Sequence, residues 1–205
     1  MGDSDSDNGR DTETVLTGIN GPIGVITLNR PKALNALDPS MISAMMTALE
    51  DWADTDDVRA VWVEGGGGKG LCAGGDVRQM RELVHSGDIE GAMSFFAHEY
   101  RLNAATRDYP KPYVAWMDGV VMGGGIGISG HASHRLVTER SKLAMPETII
   151  GFFPDVGALW LLSRAPGELG THLALTGSSF TGADAVAIGV ADYLVRSDAK
   201  EQVYA

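Results

Sequence analysis

Short apolar runs of strand type alternate with helical periodicities along most of this chain. That alternation restricts it to an α/β architecture with parallel pairing. Residues 14–19 and 23–28 are β-rich and flank Asn20-Gly21-Pro22, a hairpin signal. Asp38-Pro39 starts a helix, an N-cap acid followed by proline at the first helical position. Met41, Ile42, Met45, Leu49 and Trp52 then recur at helical spacing, so one face of 40–53 packs inward. Residues 60–64 (AVWVE) form a buried strand before a glycine-rich loop at 65–75. Helices are predicted at 77–84 and, from the spacing of Ile89, Met93, Phe96 and Tyr100, on to about Arg107. A strand at 113–117 follows the stop Pro110-Lys111-Pro112, and the glycine cluster 123–130 begins a short helix. Strands at 134–137, 142–144 and 193–195 alternate with helices at 156–163, 169–176 and 183–188. With no internal repeat and no linker, residues 13–205 read as one domain behind an acidic, disordered tail at 1–12.

Charge and cysteine content remove several function classes. Acidic residues outnumber basic ones 27 to 16, a net charge of −11. Nucleic acid is therefore not the expected partner, since phosphate binding needs a basic face. The single cysteine, Cys72, forbids an intramolecular disulfide and a cysteine zinc site. Its neighbours Leu71 and Ala73 are apolar, which suits a packed thiol better than a nucleophile. No apolar run is long enough to span a membrane, and the N-terminal stretch resembles neither a secretory signal nor an arginine-rich transit peptide. A cytoplasmic location is expected.

Two glycine-rich segments invite nucleotide readings, and neither holds. At 65–70 the glycines and Lys69 suggest a phosphate loop, but Gly70 stands where magnesium binding requires Ser or Thr. Residues 125–130 match G-x-G-x-x-G, with Glu147 near the distance of a ribose-binding acid. The motif nevertheless lies well past the strand 113–117 and beyond the middle of the chain, too late to open a dinucleotide domain. The histidines His85, His98, His131, His134 and His172 show no H-E-x-x-H spacing, and no G-x-S-x-G elbow presents a serine. No metal site and no cofactor are expected.

What remains is a constellation: Cys72-Ala73-Gly74-Gly75-Asp76, Met122-Gly123-Gly124-Gly125, Met145-Pro146-Glu147 and Phe153-Pro154-Asp155-Val156-Gly157. Together with LNRPKALNAL at 28–37, these segments resemble, in order and spacing, the crotonase (enoyl-CoA hydratase/isomerase) superfamily. Within it they are most similar to the branch that hydrolyses 3-hydroxyisobutyryl-CoA. The resemblance covers about 14–195 and implies a ββα spiral fold of parallel sheets with surrounding helices.

It also implies a site in which the backbone N–H groups of Gly75 and Gly124 polarise an acyl-CoA thioester carbonyl. The chemistry suits those residues, because a developing oxyanion needs preorganised donors and glycine admits close backbone approach. Hydratases of the superfamily use two glutamates. Glu147 matches the second, and Gly127 stands at the first, where no side chain can move a proton. Asp155, eight residues after Glu147, takes over in the hydrolase branch. Glu147 would attack the carbonyl or activate water, while Asp155 would position the substrate hydroxyl and exchange protons. Glu99 matches a substrate-contacting acid of that branch, with an exposed helix carboxylate as the equal alternative. Lys32, Ala33 and Leu34 match the CoA loop, and Ala73, Gly74 and Asp76 flank the first amide as substrate-binding positions. The implied activity is thioester hydrolysis of a short 3-hydroxyacyl-CoA, as in valine catabolism, with coenzyme A entering as part of the substrate. A single-acid isomerase or hydratase, or a catalytically crippled acyl-CoA-binding protein, are the alternatives. Longer relatives continue into a helical segment beyond the position of Ala205, and trimers or dimers of trimers are the family expectation.

Overall fold

A computed structural model describes residues 13–204. The acidic tail expected at 1–12 lies outside the described residues. The chain opens with the antiparallel hairpin β1 (Val15–Asn20) and β2 (Ile23–Leu28), turning on Gly21 at φ +56°. A 3-10 turn at Pro31–Ala33 leads to α1 (Pro39–Ala53), where the Asp38 carboxylate accepts from the Met41 amide at 2.9 Å. The expected stripe Met41, Ile42, Met45, Leu49 and Trp52 is wholly buried.

Next come β3 (Ala60–Gly65), β4 (Gly70–Cys72), α2 (Val77–Ser86) and α3 (Ile89–Arg107). After them come β5 (Tyr113–Met117), β6 (Val120–Met122) and the single turn α4 (Gly124–Gly127). The sequence continues with β7 (His134–Thr138), β8 (Lys142–Ala144), a 3-10 turn at Pro146–Ile150, α5 (Ala158–Leu162) and α6 (Leu169–Thr176). It ends with β9 (Phe180–Thr181), α7 (Gly182–Ala187), β10 (Tyr193–Val195) and α8 (Lys200–Tyr204).

These strands form two sheets. One has the order β1-β2-β3-β5-β7-β10 and the other β4-β6-β8-β9. Pairing is parallel except for β1–β2 and β8–β9. Each of β3, β5 and β7 passes through a short turn into its partner in the second sheet, and a helix or loop then returns the chain. This repeated strand–strand–helix step is the expected spiral. It also corrects the sequence reading, which left β4 inside a loop and missed β6 and β9. Strands of two or three residues beside glycines carry too little periodicity to stand out from loops, although β8 and β10, equally short, were read.

Two further corrections matter for the site. The stripe Ile89, Met93, Phe96 and Tyr100 marks α3 but not its buried face: Ile89 is 54% and Met93 64% exposed. The inward face is Ala92, Phe95, Glu99, Leu102, Asn103 and Thr106, which carries three polar side chains and so escapes an apolar template. The G-x-G-x-x-G segment, in turn, does follow a strand, β6, contrary to the spacing argument used against it. Its glycines serve packing instead. A Cβ on Gly125 would sit 2.4 Å from the Cys72 carbonyl oxygen, and one on Gly130 would sit 2.6 Å from Leu161.

The loop between β2 and α1 is pinned by Asn35. Its buried side chain donates to the carbonyls of Gly66 (3.1 Å) and Gly70 (3.0 Å) and accepts from the Arg30 amide (2.9 Å). Leu34 and Asn35 both adopt left-handed backbone, at φ 51° and 56°, which side-chain-bearing residues tolerate only when the surroundings hold them. Asn35→Ala removes the partner of one buried and one partly buried carbonyl and is expected to cost about 2–3 kcal/mol in chemical denaturation. Retained wild-type stability would contradict the pinning role.

Candidate active site

The two sheets bring the glycine turns after β4 and β6 side by side. Parallel bonding of Leu37 to Gly74 O (2.8 Å) and from Asp76 N to Leu37 O (2.8 Å) fixes the first turn. Gly75 lies between those bonds, so its N–H points away from Leu37. The second turn is set by Gly123 N, which donates to Ala144 O at 3.1 Å. Neither the Gly75 nor the Gly124 amide has an acceptor among the described residues. A Cβ on Gly124 would lie 3.3 Å from Gly75 N, so the two donors are neighbours. The helix starting at Gly124 is a single turn, so the N–H itself, rather than a helix dipole, is what this position offers.

Both amides open on a cavity of about 430 Å³. Its walls include Phe95, Phe96, Met80 and Phe152, and its polar groups are the carboxylates of Glu99, Glu147 and Asp155. Glu99 is 3% exposed, which decides against the exposed-helix alternative. Its Oε1 has no hydrogen-bond partner and would meet a Cβ on Gly124 at 2.3 Å. Glu147 stands on the 3-10 turn after β8; its Oε1 would meet a Cβ on Gly123 at 2.7 Å, and its Oε2 is buried without a partner. Asp155 is half-buried and accepts from the Tyr100 hydroxyl at 2.7 Å.

Asp155 is aimed by a strained turn. Val156 adopts φ 45°, rare for a β-branched residue, and its carbonyl lies 2.8 Å from His131 Nε2. Asp155 also lines a second hollow of about 460 Å³ with Tyr100, Asn103 and His131. Asn103 fills the space beside Gly127. A Cβ there would stand 2.7 Å from Val156 Cβ and 2.9 Å from Asn103 Nδ2, so this backbone leaves no room for a glutamate.

Of the positions expected from sequence, Ala73, Gly74, Gly75, Glu99, Gly124, Glu147 and Asp155 line the one cavity. Lys32, Ala33 and Leu34 stay on the exposed loop beside it, tied in by the bond from Ala73 N to Leu34 O (3.0 Å). Asp76 does not face the cavity: it caps α2 through Gln79 N and pairs with Arg30 at 3.0 Å. The sequence reading gave Tyr100, Asn103 and Val156 no role of their own in the site. The signal available was the four-residue spacing of Glu99 and Asn103, which puts both on one face of α3. Cys72 is the packed thiol expected, with burial pushing its pKa up to about 12.

Gathering three carboxylates in one partly dry cavity raises their pKa values. Burial first, then the charges of Asp155 and Glu147, push Glu99 up to about 8. Burial pushes Glu147 up to about 7, with the Asp155 charge adding and a backbone amide opposing. Asp155 is raised by burial, and the Tyr100 hydroxyl works against that rise. A carboxyl whose folded pKa exceeds its ordinary 4.5 prefers to ionise in the unfolded chain. Its stabilisation is complete below that value and is lost as pH climbs through about 8. Unfolding midpoints should therefore fall between pH ~5 and ~9, and Glu99→Gln should flatten that fall by up to about one proton's worth of slope. An unchanged slope in the variant would contradict the burial of an ionisable Glu99.

Among the described residues no helix is long and apolar enough to cross a membrane, and no group of three or more His, Cys, Asp or Glu side chains could hold a metal ion. The profile of the enoyl-CoA hydratase/isomerase family matches residues 23–205. The chain is 48% identical over 189 residues to a protein of Xenopus tropicalis named 3-hydroxyisobutyryl-CoA hydrolase, mitochondrial, covering 92% of this chain and 49% of that one. It is 42% identical to the small ribosomal subunit protein mS47 of Neurospora crassa, covering 84% of this chain and 34% of the relative. A crystal structure of a carnitinyl-CoA dehydratase from Mycobacterium thermoresistibile superposes with a TM-score of 0.88 at 50% identity, covering 94% of this chain and 56% of that one. The chain thus spans about half the length of the curated hydrolase relatives it matches. With its spiral of paired strands and its two facing glycine turns, the chain belongs to the enoyl-CoA hydratase/isomerase (crotonase) family.

Proposed function

We propose that this site hydrolyses the thioester of a short 3-hydroxyacyl-CoA, with 3-hydroxyisobutyryl-CoA as the leading substrate. The observation carrying the reading is the replacement of one carboxylate position by another. Gly127 is walled in by Asn103 and Val156, while Asp155 joins Glu147 and Glu99 at the cavity. Addition of water across a double bond uses two opposed acids, and the first of them has no place here. The names of the hydrolase relatives support the same choice.

In this reading the thioester oxygen accepts from Gly75 N and Gly124 N, each donor contributing about 3 kcal/mol to the barrier drop. Glu147, with its pKa near 7, takes a proton from water, and the hydroxide adds to the carbonyl carbon. The tetrahedral oxyanion collapses, the carbon–sulfur bond breaks, and the CoA thiolate leaves with a proton returned by the site's carboxyl groups. Asp155 accepts from the acyl hydroxyl and holds the chain in register. Three carboxylates also disfavour an anionic acyl group, so a neutral hydroxyacyl ester fits and a dicarboxylic one does not. No cofactor enters beyond the CoA of the substrate. In this reading the loop at Lys32–Leu34, bonded to the cavity residue Ala73, contacts the CoA moiety, and the chain associates into trimers or dimers of trimers. So does a cytoplasmic location, although the Xenopus relative is named as mitochondrial.

The ribosomal relative keeps a second reading open: a scaffold that retains the pocket without turnover. Thiol release from a panel of acyl-CoA esters separates the two, and hydration of an enoyl-CoA without thiol release would sink the hydrolase reading. Glu147→Gln should lower turnover by about 10²–10⁴-fold while CoA-ester binding persists. The wild-type kcat/KM should rise with pH through about 7, the ionisation of Glu147, and that rise should vanish in the variant. Near-normal hydrolysis by Glu147→Gln would refute its role.

A further inference from the structure

Asn103 is a buried amide with nothing to bond. It is 6% exposed, and neither Oδ1 nor Nδ2 has a hydrogen-bond partner. An unpaired buried amide costs stability, so its persistence marks a group reserved for a ligand or an ordered water. It lines the hollow beside the catalytic cavity rather than the cavity itself, and Asp155 is the residue that borders both. Resting on the hydrolase reading above, we infer that Asn103 is a specificity-determining residue that donates through Nδ2 to the 3-hydroxyl of the acyl group, whose own proton goes to Asp155.

The spacing supports that assignment. On α3, Glu99 and Asn103 are one turn apart; Glu99 abuts Gly124 and Asn103 abuts Gly127. Along α4, Gly124 to Gly127 is three residues, roughly 4.5 Å of helical rise. The carbonyl oxygen and the 3-hydroxyl oxygen of an extended acyl chain are four covalent bonds apart, roughly 5 Å. An acyl chain that runs alongside α4 from a thioester held at the Gly124 amide therefore brings its 3-hydroxyl level with Asn103. Tyr100, one turn before Asn103, already occupies Asp155 from the same helix. The site thus offers one carboxylate acceptor and one amide donor, which a hydroxyl satisfies at once. A methyl group satisfies neither, and a carboxylate is repelled by Asp155. Val156 packs against the same space and supplies the apolar wall.

The test pairs a side-chain deletion with a ligand deletion. Binding by calorimetry and thiol release are measured for wild type, Asn103→Ala and Asn103→Asp, using 3-hydroxyisobutyryl-CoA and isobutyryl-CoA. The wild type should favour the hydroxylated ester by about 10–100-fold, and both variants should lose most of that preference, with the larger loss on the hydroxylated ester. Equal losses for both esters would reduce Asn103 to a structural role, and equal handling of both esters by the wild type would point to a bound water instead. Either result overturns the inference. If no ester is hydrolysed but the binding preference appears and is lost in the variants, the inference stands and the hydrolase reading fails. If thiol is released without any hydroxyl preference, the reverse holds.

Discussion

The close approach of two backbone turns, Gly74–Gly75 and Gly123–Gly124, is the constraint on which the site depends. Parallel pairing of β4 with β6 sets their separation, and the bonds of Leu37 to Gly74 and Asp76 hold one of them rigid. A side chain at Gly124 would collide with Glu99, and one at Gly123 with Glu147. Glycine here does more than permit a turn. It lets two unpaired N–H groups and two carboxylates share a space that a single methyl group would close. Rigid donors fixed in place before the reaction need little reorganisation when charge develops, which is where such a site gains its power.

The same crowding works against stability. Glu99, Glu147 and Asn103 each leave buried polar atoms unpaired, and Val156 holds a backbone angle that β-branched residues avoid. The molecule compensates elsewhere with a large continuous core of Val, Ile, Leu and Met and with fully bonded loop anchors such as Asn35. Local rules broken at one place and obeyed around it are the pattern of a site kept for chemistry.

Much of the fold was legible because its longer elements obey simple periodicities. The α1 stripe, the hairpin at Gly21 and the first sheet came through with boundaries within a residue or two. The second sheet came through only at β8, since β4, β6 and β9 are two- or three-residue strands beside glycines that read as loops or turns. Of the site, the oxyanion glycines, Glu147 and Asp155 were visible through the resemblance of whole segments, not through any single residue. Asn103 and Tyr100 were invisible because their role comes from facing Gly127 and Asp155, contacts that exist only once α3 crosses α4 and the strained Asp155–Val156 turn. Asp76 erred the other way: its neighbours touch the cavity, and its own side chain is spent on Arg30 and the start of α2.

A crystal structure of Glu147→Gln with a bound 3-hydroxyacyl-CoA tests the central claim most directly. The account predicts the thioester oxygen within about 2.7–3.1 Å of both Gly75 N and Gly124 N, in hydrogen-bonding geometry. A thioester oxygen that contacts neither amide, with the ester seated elsewhere in the cavity, would contradict it.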